Sequence, residues 1–459
     1  MEHATLGVRT LLGDPKRAIL RLSLPMMAAM FVQSLYNVVD AVWVSGLGSE
    51  ALAAVGLFFP FMMGMMALAT GLGVGGSSAV SRRIGAQDKA GAERAALLTL
   101  SLGLGLSLPF LLAIPLALPL FRRLGAEGEA AKGAAAYARI LFGGAAVLFF
   151  ANLGTALLRG EGDAQRAMYA MVLGSLLNIG LDPLFIYGLR LGVVGAAWAT
   201  LASLLSSALL LAYWLFLRPR TYLRLSPAKF RWDLALVREI LGVGVPASLA
   251  QLSMSLAMLA VNGILLRVGG TRAVAVFGTG WRVVTLGTIP MNGMATGVTA
   301  VTAAAFGARD GEKLRTAYFY AIGLGVLVQL GIASVVAASA PLLALLFTYA
   351  PESQPLRSDL IAFLRWMCLF LPTVPLGMLT SAMFNGVRMG GRALLLTVLR
   401  TVVLQALGGW ALGVALGLGE RGVWWGILAA NVLMAWVGFT WGRRTVARLA
   451  QTFAPTQAG

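Results

Sequence analysis

A succession of long apolar runs constrains this chain more than any other feature, each run being roughly 20 residues or more, the length needed to cross a hydrocarbon core. Lipid supplies no water to satisfy backbone N–H and C=O groups, so such runs fold as helices or as closed barrels, and this length selects helices. The runs lie at roughly 18–46, 51–80, 96–120, 136–158, 167–187, 193–217, 240–266, 273–303, 316–348, 360–385, 393–416 and 422–442. An all-α integral membrane fold of twelve transmembrane helices is therefore expected. A hydrophobic share of 59%, a charged share of 12% and a mean hydropathy of +0.83 leave too little charge to cover a water-soluble surface.

The net charge of +18 has a topological origin. With both termini in the cytoplasm, the inner segments hold about 24 of the 36 Lys and Arg residues and the outer segments about 9. This is the positive-inside asymmetry, and the basic residues form no single face, so no nucleic-acid partner is expected. Other classes fall away by residue type. The single Cys368 excludes a disulfide framework and Cys-based metal clusters. His3, the only histidine, lies in the N-terminal tail, which excludes a His proton relay or zinc site. No GxxxxGK[ST] is present, so ATP-driven pumping by this chain alone is not expected. With no nucleophile–base pair either, neither an enzyme nor a bound cofactor is expected. Met1 to Lys16 reads as a polar leader, and the first apolar span is expected to be retained.

The chain repeats itself. Leu22-Ser23-Leu24-Pro25 has a counterpart in Val243-Gly244-Val245-Pro246, and Gly48 in Gly269. Ile84-Gly85-Ala86-Gln87-Asp88 returns as Phe306-Gly307-Ala308-Arg309-Asp310. Leu158-Arg159-Gly160 with Arg166 matches Phe384-Asn385-Gly386 with Arg392, and Gly195-Ala196-Ala197-Trp198 matches Gly422-Val423-Trp424-Trp425. The offset drifts only from about 221 to about 227. A six-span unit has an even number of crossings, so its copy enters with the same orientation, and the two lobes are expected to be related by an axis along the membrane normal. The expected organisation is a first six-helix lobe at 1–217, a basic cytoplasmic connector at 218–239 and a second six-helix lobe at 240–459.

Of the 18 acidic residues, only Asp40 and Asp182 fall well inside a span. An Asp at a helix centre costs roughly 2.5–3.5 kcal/mol on insertion scales, which makes each a functional candidate needing a partner. Asp40 lies about eight residues before the first outer turn, near Gly48; Asp182 lies about nine before the turn near Leu191, and Thr200 about nine after it. At 1.5 Å per residue the three share a depth of roughly 12–14 Å. Asn178 precedes Asp182 by four residues and so shares its helix face. Pro183 frees the carbonyl of Ile179. Two carboxylates, an amide, a hydroxyl and a free carbonyl suit a hard cation or a proton shared between acids. Gln33, Tyr36 or Asn37, and Asp40 recur at helical spacing on the first span, where Pro25 marks a kink that serves as a hinge.

The second half lacks the acids, having Val261 and Gly408–Gly409 at the equivalent positions, and instead carries Arg282, Arg365 and Arg400 within spans. Gly71-Leu72-Gly73-Val74-Gly75-Gly76 spells GxGxxG but follows no predicted strand, so close helix packing is expected.

Taken together, Ser34-Leu35-Tyr36-Asn37-Val38-Val39-Asp40, Val44-Ser45-Gly46-Leu47-Gly48, Leu52-Ala53-Ala54-Val55-Gly56, Arg159-Gly160-Glu161-Gly162-Asp163, Leu177-Asn178-Ile179-Gly180-Leu181-Asp182-Pro183 and Gly195-Ala196-Ala197-Trp198-Ala199-Thr200 resemble the signatures of multidrug and toxic compound extrusion (MATE) transporters. The likeness runs end to end and is nearest to the prokaryotic DinF-type branch. It implies a V-shaped pair of six-helix lobes in the cytoplasmic membrane, exporting small organic, often cationic compounds against inward Na⁺ or H⁺, as a monomer. By the resemblance, Asp40, Asn178, Asp182 and Thr200 match cation-site positions, and Pro25, Gln33, Tyr36, Tyr137, Asn152 and Met171 match first-lobe cavity positions. Thr155 stands where the family often has a second Asn. A lipid-linked oligosaccharide flippase of the same superfamily is the alternative that the second-half arginines permit, although such proteins usually have more spans. A receptor or scaffold would need a soluble domain, and no loop is long enough for one.

Overall fold

The structure, a computed structural model, describes residues 5–217, 221–349 and 351–454. His3 and two basic residues of the expected connector, Arg218 and Arg220, lie outside the described residues. Among the described residues the chain is helical, with no strand. The helices are α1 (Leu6–Leu12), α2 (Pro15–Ser45), α3 (Ser49–Gly85), α4 (Lys89–Leu112), α5 (Ala117–Arg123), α6 (Gly128–Gly143), α7 (Ala145–Gly160), α8 (Ala164–Pro183), α9 (Gly192–Ala212), α10 (Leu234–Gly307), α11 (Gly311–Phe347), α12 (Arg357–Phe370), α13 (Val374–Gly386), α14 (Gly390–Val398), α15 (Ala406–Trp410) and α16 (Gly419–Phe453). Among the described residues, ten helical stretches are long and apolar enough to cross a membrane, and α6 with α7, bent by 52°, makes one more. α10 holds two spans, because Gly270 breaks it with φ 63° and ψ −157°. These are the twelve spans that the apolar runs predict, and the protein is a multi-span membrane protein.

The turns between spans explain why short motifs repeat. Asp88 caps α4 by accepting from the Gly91 N–H at 2.7 Å, and Asp310 caps α11 by accepting from the Lys313 N–H at 2.8 Å. The residue before each cap is left-handed, Gln87 at φ 59° and Arg309 at φ 53°. A left-handed residue followed by an N-capping Asp is one way to reverse a helix in a few residues, and both halves use it.

The chain forms two compact units, each drawn from more than one stretch of sequence. One comprises the chain to Gly13 together with Leu24–Ser248, the other Asp14–Ser23 with Leu249–Gly459. Each half's first span therefore begins in the other half's unit. The boundaries fall beside Pro25 in α2 and just after Pro246 in α10. Glycine makes both arrangements possible. A Cβ on Gly75 of α3 would overlap the backbone of Ile240 and Gly244, and one on Gly71 that of Gly244 and Ser248. In the second unit a Cβ on Gly297 would crowd Ile19, Leu22 and Ser23. Gly75 and Gly297 are repeat counterparts, as are Ile19 and Ile240. The GxGxxG spelling is thus a helix-packing surface, as its context predicts.

Two further features hold the first unit. Arg82 and Arg83 bind Glu239 at 2.9 Å each, tying the end of α3 to the start of α10. The polar leader departs from its sequence reading, since Leu6–Leu12 forms a helix that buries Gly7, Val8 and Leu11. Gly7 and Gly162 (φ 91°) meet too closely for a Cβ on either.

The chain beyond α9 is held by acids. Glu161, fully buried after α7, accepts from the N–H groups of Leu223 at 3.1 Å and Tyr222 at 3.3 Å, and Glu93 accepts from Arg224 N–H at 3.3 Å. Burial pushes the Glu161 carboxyl up to about 8, against the opposing pull of the two N–H donors. An acid whose folded pKa is raised is stabilised most where both states are protonated, and that advantage declines as the unfolded chain ionises first. Stability should therefore fall as pH rises from about 4.5 to about 8. Thermal unfolding of detergent-purified protein across this range should show the decline, and Glu161→Gln should flatten it; an unchanged slope in the variant would assign the decline to other groups.

The glycine crossing gives a second prediction. Gly75→Ala should destabilise by about 1–3 kcal/mol, the usual cost of overpacking. Gly64→Ala, on the same helix but with open space around it, should be neutral or stabilising by up to about 1 kcal/mol. Unfolding midpoints of the two variants should move in opposite directions or differ clearly; equal shifts would contradict the crossing.

Candidate functional site

α2 separates its faces cleanly. Phe31, Leu35, Val38 and Val42 are exposed at helical spacing and make an apolar stripe suited to lipid. Gln33, Tyr36 and Asp40 are half-buried away from that stripe. On α8, Asp182 and Asn178 are buried, at 0% and 1% exposure, and the Asn178 Nδ2 donates to Asp182 Oδ1 at 3.4 Å. The i,i+4 relation therefore brings the amide onto the carboxylate as the spacing predicts. Pro183 closes the helix and a π-helical turn, Leu184–Gly188, follows. Such turns are frequent where a helix is adjusted for a site.

The Asp40 and Asp182 side chains lie near one another. Tyr36 and Tyr137 stand beside the acid pair, and the Tyr137 hydroxyl lies against Thr200. Thr200 is buried on α9, its hydroxyl donating to Ala196 O at 3.0 Å. Tyr137 is held from the other side by an aromatic core, with Phe58 at 5.3 Å between ring centroids and Phe142 and Phe61 beyond. That core fixes the phenol although α6 ends at Gly143, where the bent span turns.

Asp182 Oδ2 and Asn178 Oδ1 are buried and accept no hydrogen bond among the described residues. Acceptor oxygens clustered beside a second carboxyl, with no donor supplied, are completed by a proton or a cation. No group of three His, Cys, Asp or Glu side chains suited to a resident metal occurs among the described residues.

Other expected residues lie elsewhere. Asn37 is exposed and makes no hydrogen bond to the acid pair. Asn152 donates to Leu148 O at 3.0 Å and approaches the Met66 sulfur at 3.9 Å. Gln33 and Met171 are half-buried. Pro25 sits within a continuous α2 at the unit boundary. One contact has no counterpart in the sequence reading. The Tyr187 hydroxyl donates to Trp43 O at 2.6 Å, and the two rings meet edge-on at 6.2 Å. Trp43 follows Asp40 by three residues and Tyr187 follows Asp182 by five, so this bond joins the two acid-bearing segments just beyond the acids. A pair 144 residues apart leaves no local signal.

A crystal structure of a MATE in complex with MaL6 superposes with a TM-score of 0.95 at 50% sequence identity, covering 97% of this chain and 100% of that one. The probable multidrug resistance protein YoeA of Bacillus subtilis is 29% identical over 318 residues, 66% of this chain and 67% of YoeA. An FAD transporter of Shewanella oneidensis is 28% identical over 460 residues, 96% of this chain and 97% of its own length. The family description MatE matches residues 25–184 and 246–411, one stretch in each half. With its duplicated helical fold, the chain belongs to the MatE family.

Proposed function

We propose that the protein is a secondary antiporter that exports small organic compounds across the cytoplasmic membrane against an inward flow of H⁺ or Na⁺. The observation that carries this reading is the acid pair, Asp182 buried and Asp40 half-buried, with the unsatisfied acceptors Asp182 Oδ2 and Asn178 Oδ1. Two carboxyls this close at membrane depth strongly disfavour double ionisation without a counter-charge. A proton shared between Asp40 and Asp182, or a Na⁺ held by them with Asn178 and Thr200, supplies it. Loss of that charge separates the acids, and because they lie on α2 and α8, the force acts between those helices. Pro25 lies where α2 passes between units, so the upper part of α2 bends there in response. Coupling then follows from differential affinity: the ion favours one packing of α2 and the cargo the other.

The relatives support organic cargo of varied charge. YoeA is named for multidrug resistance, and the Shewanella oneidensis relative for FAD, a dinucleotide with an anionic pyrophosphate. Cytoplasmic termini follow from the Lys and Arg distribution. The protein acts as a monomer, without enzymatic activity or a bound cofactor.

Reconstituted protein should drive efflux of a fluorescent organic cation from proteoliposomes under an imposed pH or Na⁺ gradient. Asp40→Asn and Asp182→Asn should each slow efflux by about tenfold or more, the loss expected when a charged hydrogen-bonding partner is removed. Asn178→Ala should slow it less while shifting the ion concentration for half-maximal rate upward. Parental rates in both Asp variants would refute the coupling mechanism. Collapsing one gradient at a time identifies the coupling ion.

A further inference from the structure

The second unit holds its own unpaired charge. Arg400 lies about ten residues into the span that begins with α14, on a π-helical turn, Leu399–Gln405. The residue keeps a partial opening to the surface, but its guanidinium lies deep and Nε is sealed off with no hydrogen-bond partner. No acidic side chain pairs with it among the described residues. This differs from the arginines at the ends of the first unit's helices, where Arg82 and Arg83 share Glu239 and Arg166 binds Asp163. Arg282 and Arg365 are exposed. Breaking a buried ion pair costs several kcal/mol because a charge is left uncompensated, and Arg400 stands in that condition from the outset.

Beside it is a cavity of about 10 Å³, lined by Gly377, Ser381, Leu396, Thr397, Met434 and Arg400. That is room for one water-sized group. Gly377 keeps it open on one side, since a Cβ there would stand 3.2 Å from Arg400 Nη1. The Thr397 hydroxyl is committed to Ala393 O at 3.0 Å, whereas the Ser381 hydroxyl makes no hydrogen bond among the described residues and is free to donate. A guanidinium, a free hydroxyl and two apolar side chains, Leu396 and Met434, match one ligand chemistry: an acidic oxygen carried on an apolar body.

We propose that the second unit carries an anion pocket built on Arg400, which binds a carboxylate or phosphate oxygen of an amphipathic acid, either the headgroup of an anionic lipid or an acidic organic solute. The cavity admits one oxygen, and the remainder of the ligand extends from its opening. Arg400 supplies charge and Ser381 a donor; Gly377 supplies space. The site does not depend on the acid pair of the first unit.

The test uses the full chain in phosphatidylcholine nanodiscs, with the thermal unfolding midpoint followed as phenyl phosphate is titrated, and separately in discs containing phosphatidylglycerol. Sodium chloride at matched ionic strength is the control. At least one of the two phosphate probes should raise the midpoint beyond the chloride control, phosphatidylglycerol identifying a lipid site and phenyl phosphate a solute site. Arg400→Gln should weaken the apparent affinity for that probe by about tenfold or more. Gly377→Ala, which keeps the charge but crowds the guanidinium, should weaken it as well, and Arg400→Lys should retain part of it. Asp182→Asn should bind as the parent does, which separates this proposal from the coupling mechanism. No response beyond chloride, or an undiminished response in both Arg400→Gln and Gly377→Ala, would overturn it.

Discussion

Hydrocarbon solvates neither a backbone amide nor a charged side chain, and the organisation of this protein follows from what each buried polar group finds instead. Within the spans the backbone is satisfied by helix, so the remaining demands there come from a few side chains. Asp182 is the most demanding: it is fully buried and carried on a helix that ends one residue later at Pro183. Its neighbours are another acid, an amide with an orphaned oxygen and a phenol wedged in place by Phe58. The Tyr187–Trp43 bond holds the two acid-bearing segments together one turn away, so the acids cannot relieve their repulsion by drifting apart at that end.

The duplication shows which contacts a membrane scaffold must keep. The turns capped by Asp88 and Asp310 have left-handed residues at matching positions, and the glycine crossings at Gly75 and Gly297 receive the opening turns of α10 and α2 respectively. All of these are backbone-level requirements: a cap for free N–H groups, a reversal in few residues, an approach that a Cβ would block. Mid-span side chains answer to no such demand. There the halves diverge, with Asp182 on one side and Gly408–Gly409 on the other.

Local rules accounted for most of this in advance. Run length identified the spans, and the i,i+4 spacing of Asn178 and Asp182 became a hydrogen bond. Counting residues from the outer turns put Asp40, Asp182 and Thr200 at one depth, and Asp40 and Asp182 both act electrostatically on Tyr137. Tyr137 itself rested on family resemblance, because its place is set by an aromatic cluster assembled from several helices. Non-local matters were illegible for the same reason. Nothing in the local pattern shows that Asp14–Ser23 belongs with the second unit, since the glycine that receives it lies more than 270 residues away. The polar leader hid a helix because its seven residues bury only three, too few to register as a periodic pattern. Tyr36 and Asn37 flank one face at 100° per residue, and only the packed helix shows that Tyr36 is half-buried and Asn37 exposed.

Asp182 and Arg400 then pose one physical problem with opposite signs. Each is an ionisable group held at membrane depth with an atom that nothing among the described residues satisfies. A chain shaped for stability alone has a cheaper solution, since an apolar residue of similar volume removes the desolvation penalty and leaves no orphan. Keeping the charge makes sense only if the missing partner arrives from outside the fold, and the sign of the charge states what kind of partner that is. As proposed, the first half takes a cation and the second an anion. Because the shared scaffold depends on glycines and caps, it tolerates either charge, and one duplicated fold can hold two sites of opposite polarity without altering the contacts that make it fold.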